Sequence, residues 1–489
     1  MKKIFYASFI LLNTLPGFSQ NANDALRYSL ISYGGTARFM GLSGAYGAVG
    51  SDFSSLSQNP AGIAVYRKSE FTISPGLYST TTELKYFGET NSDFRNNLLL
   101  GNMGMVFALN LNESRDDGVL KGLQMGFGMN RLNNFGNRIM AEGFNDGKSL
   151  LGLYADDANN GGNPFNDDDL DPFTTRLAYD ANLMVFDSGN VNNRAHWWVD
   201  MPGQVLQRKT IQFTGSSREI LLSGGANFGH KLYLGLTLGF PSVRYEEESN
   251  FSEQDSRGLS SNADPQFNFD AVKRSEFLLT RGNGFNLKFG FILKPVEFIR
   301  IGGAFHTPTS YNLTDEWNSR MVSYFENGSS YSASSPDGSY DYRLNTPMRA
   351  MGSLAIVIGK HGFVSADYEY VDYSTARLRS DDYDFFDENE DVRTRLGSAN
   401  NLRFGAEYKY NVFAFRGGTS FYGSPYKNET TRGARMGYSA GLGIREKNYF
   451  LDFAFNHQLA KDDFYLYQGA MAENTYKSNQ FLMTLGFRF

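Results

Sequence analysis

From residue 69 onward, apolar and polar positions alternate along the chain. Within 97–111, Met103, Met105, Phe107 and Leu109 share one parity; Asn102, Gly104 and Asn110 share the other. Within 231–240, Leu232, Leu234, Leu236, Leu238 and Phe240 alternate with Tyr233, Gly235, Thr237 and Gly239. Within 447–457, Tyr449, Leu451, Phe453 and Phe455 oppose Asn448, Asp452 and Asn456. A period of two gives a strand one apolar face and one small or polar face. The pattern predicts strands near 69–80, 97–111, 121–132, 217–229, 231–246, 284–294, 297–308, 346–359, 362–376, 400–410, 412–423, 433–444, 447–458 and 475–489, about fourteen in all. The last sets Phe481, Met483, Leu485, Phe487 and Phe489 against Gln480, Thr484, Gly486 and Arg488. Such a strand needs a partner on each edge, and closure of a barrel supplies one.

The connections separate a membrane barrel from a soluble sandwich. Short links fall at Gly229-His230, Lys294-Pro295-Val296, Lys360-His361-Gly362, Tyr410-Asn411 and Glu446-Lys447. Long polar ones run over about 133–216, 248–283, 310–345, 377–398, 424–432 and 459–474. Short turns on one side and long loops on the other form the outer-membrane pattern, and single-chain barrels of this kind use an even strand number. No stretch approaches the roughly 20 apolar residues of a spanning helix. A mean hydropathy of −0.40 fits strands whose second face is polar. The expected fold is therefore all-β: a transmembrane antiparallel β-barrel of about 14 strands, occupying 69–489. Cysteine is absent, which excludes a disulfide framework, a thiolate metal site and a cysteine nucleophile. A net charge of −6 argues against a nucleic-acid partner.

Ahead of the strands lie two segments of different character. Met1-Lys2-Lys3 and the apolar run Ile4–Leu12 read as a secretory signal over 1–19, with cleavage near residue 19/20. Residues 20–68 lack a period of two and are rich in Gly, Ala and Ser, with Gly34, Gly35, Gly41, Gly44, Gly47 and Gly50 before Gln58-Asn59-Pro60-Ala61-Gly62. Such a stretch cannot serve as a membrane strand. It reads as a compact hatch, or plug, inside the lumen. Its glycines do not have phosphate-loop spacing, and no Lys-Ser/Thr follows them.

Four stretches of the chain resemble the FadL-type family of outer-membrane transporters for long-chain fatty acids and hydrocarbons. They are Gly35-Thr-Ala-Arg38-Phe-Met-Gly41 leading through Asp52 to Asn59-Pro60-Ala61-Gly62; Gly302-Gly-Ala-Phe-His-Thr-Pro308; Phe363-Val-Ser-Ala-Asp-Tyr-Glu-Tyr-Val-Asp-Tyr-Ser374; and Asn401-Leu-Arg-Phe-Gly-Ala-Glu407-Tyr with Phe415-Arg-Gly-Gly and Ser424-Pro425. The resemblance implies a fourteen-stranded barrel plugged by an N-terminal hatch. It also implies an outer-membrane location and a small hydrophobic ligand, with membrane lipids as surroundings. The style of the sequence looks like that of a Bacteroidota protein.

Candidate residues follow from these expectations. Arg38, Asn59, Pro60, Ala61 and Gly62 are expected to fix the hatch. Pro75, which lacks a ladder donor inside the first strand, marks a kink where the wall could open. Phe165, Phe173, Trp197 and Trp198 are candidates to capture an apolar ligand, and Arg349, Arg403 and Arg416 to fork onto a carboxylate. The inward parity also carries Lys288, Arg300, Asp367, Glu369, Glu407, Arg435, Asp452 and Arg488, which suit a network between wall and hatch. The five histidines (His196, His230, His306, His361, His457) have no ligand spacing, and no G-x-S-x-G occurs. No cofactor, metal or catalytic residue is expected. Asp167-Asp168-Asp169 with Asp171, and Asp381-Asp382 with Asp384 and Asp387, lack the calcium-loop spacing. Two other functions stay open: a docking subunit of an outer-membrane secretion or barrel-assembly machine, with other outer-membrane proteins as partners, and a porin for polar solutes.

Overall fold

The computed structural model describes residues 21–111, 119–145, 148–160, 170–191, 194–199, 204–255, 268–427, 433–467 and 470–489. Fourteen strands close one antiparallel ring: β1 Glu70–Tyr86, β2 Glu89–Asn110, β3 Leu120–Asn134, β4 Val205–Phe228, β5 Leu232–Gln254, β6 Phe269–Val296, β7 Ile299–His306, β8 Arg349–Ile358, β9 Gly362–Asp372, β10 Ser398–Tyr410, β11 Phe413–Tyr422, β12 Arg435–Arg445, β13 Tyr449–Tyr467 and β14 Ala470–Arg488. Each pairs with its neighbours in sequence, and β1 pairs with β14 (Glu70↔Arg488 to Lys85↔Glu473), so the ring has no edge. The number and order of strands agree with the alternation in the sequence.

Several strands run further than the alternation predicts. The first hairpin turns at Phe87-Gly88, both in left-handed backbone (φ +45° and +89°), so β1 and β2 extend through 81–96. At the same end the ladder continues in Asn137–Asn145, paired with β4, and in Ser310–Phe325, paired with β6 and with Gly338–Asn345. At the opposite end the turns are tight. His230 and Asn411 sit at φ +57° and +54°, the hand that matches the twist of short hairpins.

The alternation has a clear physical reading. Along β8, β9 and β10 the exposed Leu354, Ile356, Val364, Leu402 and Phe404 interleave with the buried Ser353, Ser365, Asp367, Arg403 and Glu407. Around the ring Leu98 (87% exposed), Phe107, Met125, Leu236, Phe289, Phe415, Phe453 and Phe481 also face outward. A closed band of this size and character faces lipid rather than water. Phe298, Tyr408, Tyr410, Tyr449 and Phe489 edge it at the short-turn end, as an aromatic girdle does. No described helix is long and apolar enough to cross a membrane.

Residues 22–66 lie inside the ring. They form two short helices, α1 Ala22–Ser29 and α2 Ala37–Met40, and two 3₁₀ turns, Phe53–Ser57 and Pro60–Val65. Each is capped by its own polar side chain. Asn21 accepts from the Asn23 and Asp24 amides, Thr36 from Phe39, Asp52 from Ser54 and Asn59 from Ala61. These caps supply hydrogen bonds that a strand ladder would otherwise provide. Burial is unbroken from Tyr33 to Gly50. Ala22, Leu26 and Tyr28 pack with Tyr342, Leu344, Phe385 and Val392 at the long-loop end, where helix Phe386–Arg395 covers them. From there the segment descends to Arg67, at the start of β1. The chain between β3 and β4 also folds: helices Leu150–Asn160 and Thr175–Asp180 pack with Leu84, Tyr86, Phe251 and Leu466 as a cap on the strand extensions.

Candidate functional site

The interface between the inner segment and the wall is the centre of the molecule. Asp367 on β9 accepts from the Tyr46 amide (2.8 Å), the Gly47 amide (3.0 Å) and Gln58 Nε2 (2.9 Å). His306 on β7 bonds the Gln58 carbonyl at 2.8 Å, and Arg300 donates to the Val49 carbonyl at 2.7 Å. Asn59 Nδ2 donates to the carbonyls of Gly47 (2.6 Å) and Phe291 (3.1 Å) while its Oδ1 caps Pro60–Val65. Elsewhere around the ring, Ser32 N donates to the Leu132 carbonyl on β3, Ser43 Oγ meets Ser439 Oγ on β12 at 2.8 Å, and Arg349 on β8 donates to the Ser29 carbonyl. A segment bonded to strands from every side of a closed ring fills its lumen. The wall makes room with inward glycines. A Cβ at Gly235 would stand 2.3 Å from the Pro60 carbonyl carbon, and one at Gly290 2.0 Å from Asn59 Oδ1. Only glycine lets backbone approach backbone this closely.

Several other inward charges pair with one another. Arg38 forks onto Glu407 through Nε (2.8 Å) and Nη2 (2.9 Å). Arg416 joins Glu407 to Asp452, at 2.7 Å each, and Arg445 donates to the other Asp452 oxygen at 2.8 Å. Arg349 (2.9 Å) and Arg403 (2.7 Å) share Glu369, which also accepts from Asn401. Lys288 holds Glu219. Buried charges are tolerated only when matched and hydrogen-bonded in this way. Arg349, Arg403 and Arg416, candidates for a ligand carboxylate, are thus each bonded to a carboxylate of the wall.

Pro75 sits at a break in the wall. On the β2 side the register shifts between Ser74 and Pro75, and on the β14 side pairing stops at Ile73↔Leu485 and resumes at Gly76↔Leu482. Proline has no amide hydrogen to carry the ladder. Ser74 Oγ and Thr484 Oγ1 meet across the gap at 2.7 Å, and the Ala37 amide of the inner segment donates to Thr484 at 2.6 Å. The wall is thin here. A Cβ at Gly101 would stand 2.7 Å from the Gly35 carbonyl oxygen, and one at Gly41 3.2 Å from Gly441 Cα. On the outer, lipid-facing side the surface around this break is an open, shallow apolar patch formed by Pro75, Leu98, Leu442, Phe453, Phe455 and Phe481.

The loop aromatics do not converge on these groups. Phe173 packs on Trp317 (5.8 Å between ring centres) and its carbonyl accepts from Arg274, all in the long-loop cap. Trp197 and Trp198 lie on a separate two-strand ribbon, opposite Phe186 and Val185 in register. Phe165 and Asp167-Asp168-Asp169, like the expected signal over 1–19, fall outside the described residues. Among the described residues no three His, Cys, Asp or Glu side chains form a metal-sized group.

The chain was compared with known proteins. No family model and no curated protein matches it. Among solved structures, a Pseudomonas aeruginosa FadL homologue superposes with TM-score 0.58 at 12% identity, over 94% of this chain and 100% of that one. The chain has the FadL-type fold. The P. putida toluene transporter TodX matches it with TM-score 0.55 at 12% identity, over 93% and 99% of the two chains. CymD, a monoaromatic hydrocarbon channel, matches with TM-score 0.50 at 11% identity, over 94% and 98%. Within this FadL-type barrel, sequence reasoning passed over Glu219, His306 and Gln58. His306, which lies in the stretch Gly302–Pro308 and has no metal-ligand spacing, anchors backbone. The signal that could have found the contact surface is the run of glycines on the inward parity, at Gly104, Gly126, Gly128, Gly235, Gly290, Gly302, Gly405, Gly418 and Gly441.

Proposed function

We propose that this protein is an outer-membrane channel for uptake of small hydrophobic molecules, long-chain fatty acids or hydrocarbons. In this reading residues 20–68 form a hatch that closes the lumen of the barrel at 69–489, and export follows cleavage of 1–19. The observation that carries the reading is the ladder break at Ser74-Pro75, bonded from inside by Ala37 and facing an open apolar patch outside. A shift of the hatch near Gly35–Ala37 frees Thr484 and joins the lumen to the lipid side. An apolar ligand gains roughly 25 cal/mol for each Å² taken from water on the way. The names of the similar structures, a FadL homologue and a toluene transporter, agree with this chemistry.

The chain has no cysteine, so an engineered crosslink reports cleanly. In an Ala37→Cys/Thr484→Cys variant, oxidation pins the hatch at the gap. Uptake of labelled fatty acid and toluene by cells expressing it is expected to stop on oxidation and to return with reductant. Unchanged uptake in fully crosslinked protein would refute the route, and absence of uptake by the wild type would refute the function.

A second reading rests on the packed interior: the cavity beside Lys288 and His306 holds about 20 Å³. A barrel so filled suits a docking subunit. Native mass spectrometry with lipid extraction, on protein purified mildly from its own membrane, separates the two. A competable fatty acid or hydrocarbon supports the channel; a stoichiometric protein partner and no apolar ligand supports the scaffold. The same packing leaves no open polar lumen for a porin.

A further inference from the structure

Where the inner segment leaves the lumen, a recess of about 520 Å³ opens at the short-turn mouth, between Val49–Ser51, Val65–Lys68 and the ends of β8, β10 and β12. It is separate from the break at Pro75: no residue of the apolar patch outside that break borders it. One side of the recess is apolar, formed by Val49, Val65, Val357 and Phe363. Four cations reach it from the inward parity of the wall: Arg300 on β7, Lys409 on β10, Arg445 at the end of β12 and Arg488 at the end of β14. The exposed Arg67, Lys68 and Lys360 stand at its rim.

The carboxylates at this mouth are already engaged. Glu70 accepts from Arg488 (2.8 Å) and Tyr66 (3.1 Å), Glu407 from Arg38 and Arg416, and Asp452 from Arg416 and Arg445. Among the described residues Arg67, Lys68, Arg300 and Lys360 have no carboxylate within ion-pair distance. Arg300 spends Nη1 on the Val49 carbonyl, and its Nε is buried with no partner; Arg445 Nε is in the same state. The whole chain carries a net charge of −6, so this concentration of cations runs against the average. A cationic recess with a low-dielectric wall focuses its field on an anion.

The spacing of the cations selects the kind of anion. Neighbouring strands stand about 4.8 Å apart, so the step along the wall is roughly 14 Å from Arg300 to Lys409, and roughly 10 Å on to Arg445 and again to Arg488. A single small anion meets one or two of them. An extended peptide advances about 3.3 Å per residue, so acidic side chains two to four residues apart, at roughly 7–13 Å, meet them in turn. The same four cations point into the ring, as their bonds to Val49, Glu407, Asp452 and Glu70 show. Lipid headgroups lie against the opposite face of the wall. We infer that the short-turn mouth is a docking socket for an acidic peptide segment of a partner protein, whose intervening apolar side chains lie on Val49, Val65, Val357 and Phe363. Short turns face the periplasm in outer-membrane barrels, so the partner is periplasmic. The inference does not rest on the uptake reading, since a partner seated here lies off the route proposed through the wall at Pro75.

The test uses the full barrel in nanodiscs of zwitterionic lipid and two synthetic decapeptides, one alternating glutamate with valine and one alternating glutamine with valine. Calorimetry is expected to show the glutamate peptide binding at least thirtyfold tighter, with the advantage shrinking as salt rises. The exposed pair Lys68→Gln/Lys360→Gln, and separately Arg300→Gln, are each expected to weaken it at least fivefold, with the heat-modifiable gel shift of the folded barrel unchanged. Lys231→Gln/Lys447→Gln removes two exposed cations from short turns outside the recess and is expected to change affinity less than twofold. Equal binding of the two peptides overturns the inference. So does an equal loss in the Lys231/Lys447 variant, which would mean attraction to the general charge of this end. Displacement of the peptide by an equal concentration of free glutamate or inorganic phosphate makes the site one for a small anion and overturns the peptide assignment. Loss of binding when anionic phospholipid is added to the nanodisc makes it a headgroup site and overturns it as well.

Discussion

Replacing Arg38 by Met tests whether the inner segment is clasped to the wall by charge. Arg38 makes two charge-assisted bonds to Glu407, and such bonds contribute about 1.5–3 kcal/mol each. The gross loss of about 3–6 kcal/mol is reduced because a buried guanidinium no longer has to be desolvated. Glu407 also keeps Arg416 at 2.7 Å and so is not orphaned. The expected net cost is about 3 kcal/mol. It falls on the inner segment and not on the ring, whose ladder closes through β1 and β14 without Arg38. Since about 1.4 kcal/mol is tenfold, amides from Tyr46 to Gly62 should exchange with deuterium roughly a hundredfold faster. Amides of β8 to β10 should be unchanged. Glu407→Gln should do more, because it weakens the hold on Arg38 and Arg416 together. Unaltered exchange over 46–62 in a folded Arg38→Met barrel would refute the clasp.

Gly235→Val should displace the Asn59–Gly62 turn, because its Cβ would meet Pro60 backbone at 2.3 Å; the barrel should stay intact while trypsin cuts faster at Arg67. Lys288→Met leaves Glu219 buried with only Asn286 and Ser57 as partners and should cost about 3–5 kcal/mol. Lys288→Met/Glu219→Gln should recover most of that in urea unfolding. Glu253 lies at the far end of β5, some 40 Å along the strand from the last belt residue, Phe240, at about 3.3 Å per residue. Burial pushes its carboxyl up to about 7, against the Ser149 hydroxyl and the Leu150 amide that favour the charge. The folded state therefore holds its proton more tightly than the unfolded one. The stability this confers, about 3 kcal/mol, is present below pH 4.5 and lost as pH rises through 7. Proteolysis of helix Leu150–Asn160 should accordingly be slower at pH 5 than at pH 8, and Glu253→Gln should abolish the difference.

The strands were legible because lipid writes a simple code on one parity, and their extents were not because the code inverts. On β5 the outward Leu234, Leu236 and Phe240 are apolar as far as the belt reaches. Beyond it the inward Val243, Tyr245 and Phe251 are the buried ones, and outward Arg244 and Glu248 are exposed. A strand whose apolar parity switches sides reads as a strand followed by a polar loop. The same inversion at Tyr311 and Leu313 hides Ser310–Phe325. Inside the ring, the composition of residues 20–68 revealed a segment that is not a strand. Arg300 and Asp367 were marked on the inward parity, but what they bind was hidden because their bonds, like that of His306, run to the backbone of the inner segment. Backbone groups leave no mark in a sequence, whereas Arg38, which pairs through its side chain, was picked out.

The distribution of these bonds also decides how a hatch can move. Ejecting it whole would strip Asp367 of three donors and Glu407 of Arg38. At about 1.5–3 kcal/mol for each bond to a charged group, these five bonds amount to about 7.5–15 kcal/mol, comparable to the roughly 5–15 kcal/mol that holds a typical domain together. At the Pro75 gap the Ala37 amide on Thr484 is one neutral bond, worth about 1 kcal/mol, and Thr36 beside it holds Asp52 (2.8 Å) and Ser54 Oγ (2.6 Å) within the inner segment itself. On the uptake reading, a slip at Gly35–Ala37 leaves the Asp367 and Glu407 contacts in place, whereas ejection breaks them all. Two locks distinguish it from ejection. Ser43 and Ser439 meet Oγ to Oγ at 2.8 Å, close enough for a Ser43→Cys/Ser439→Cys disulfide, and this pair lies beyond α2 from the gap. Oxidising it should leave uptake intact, whereas the Ala37→Cys/Thr484→Cys crosslink should stop it. Loss of uptake in both would mean that the hatch moves as one body and that the energies of its clasps have been overestimated.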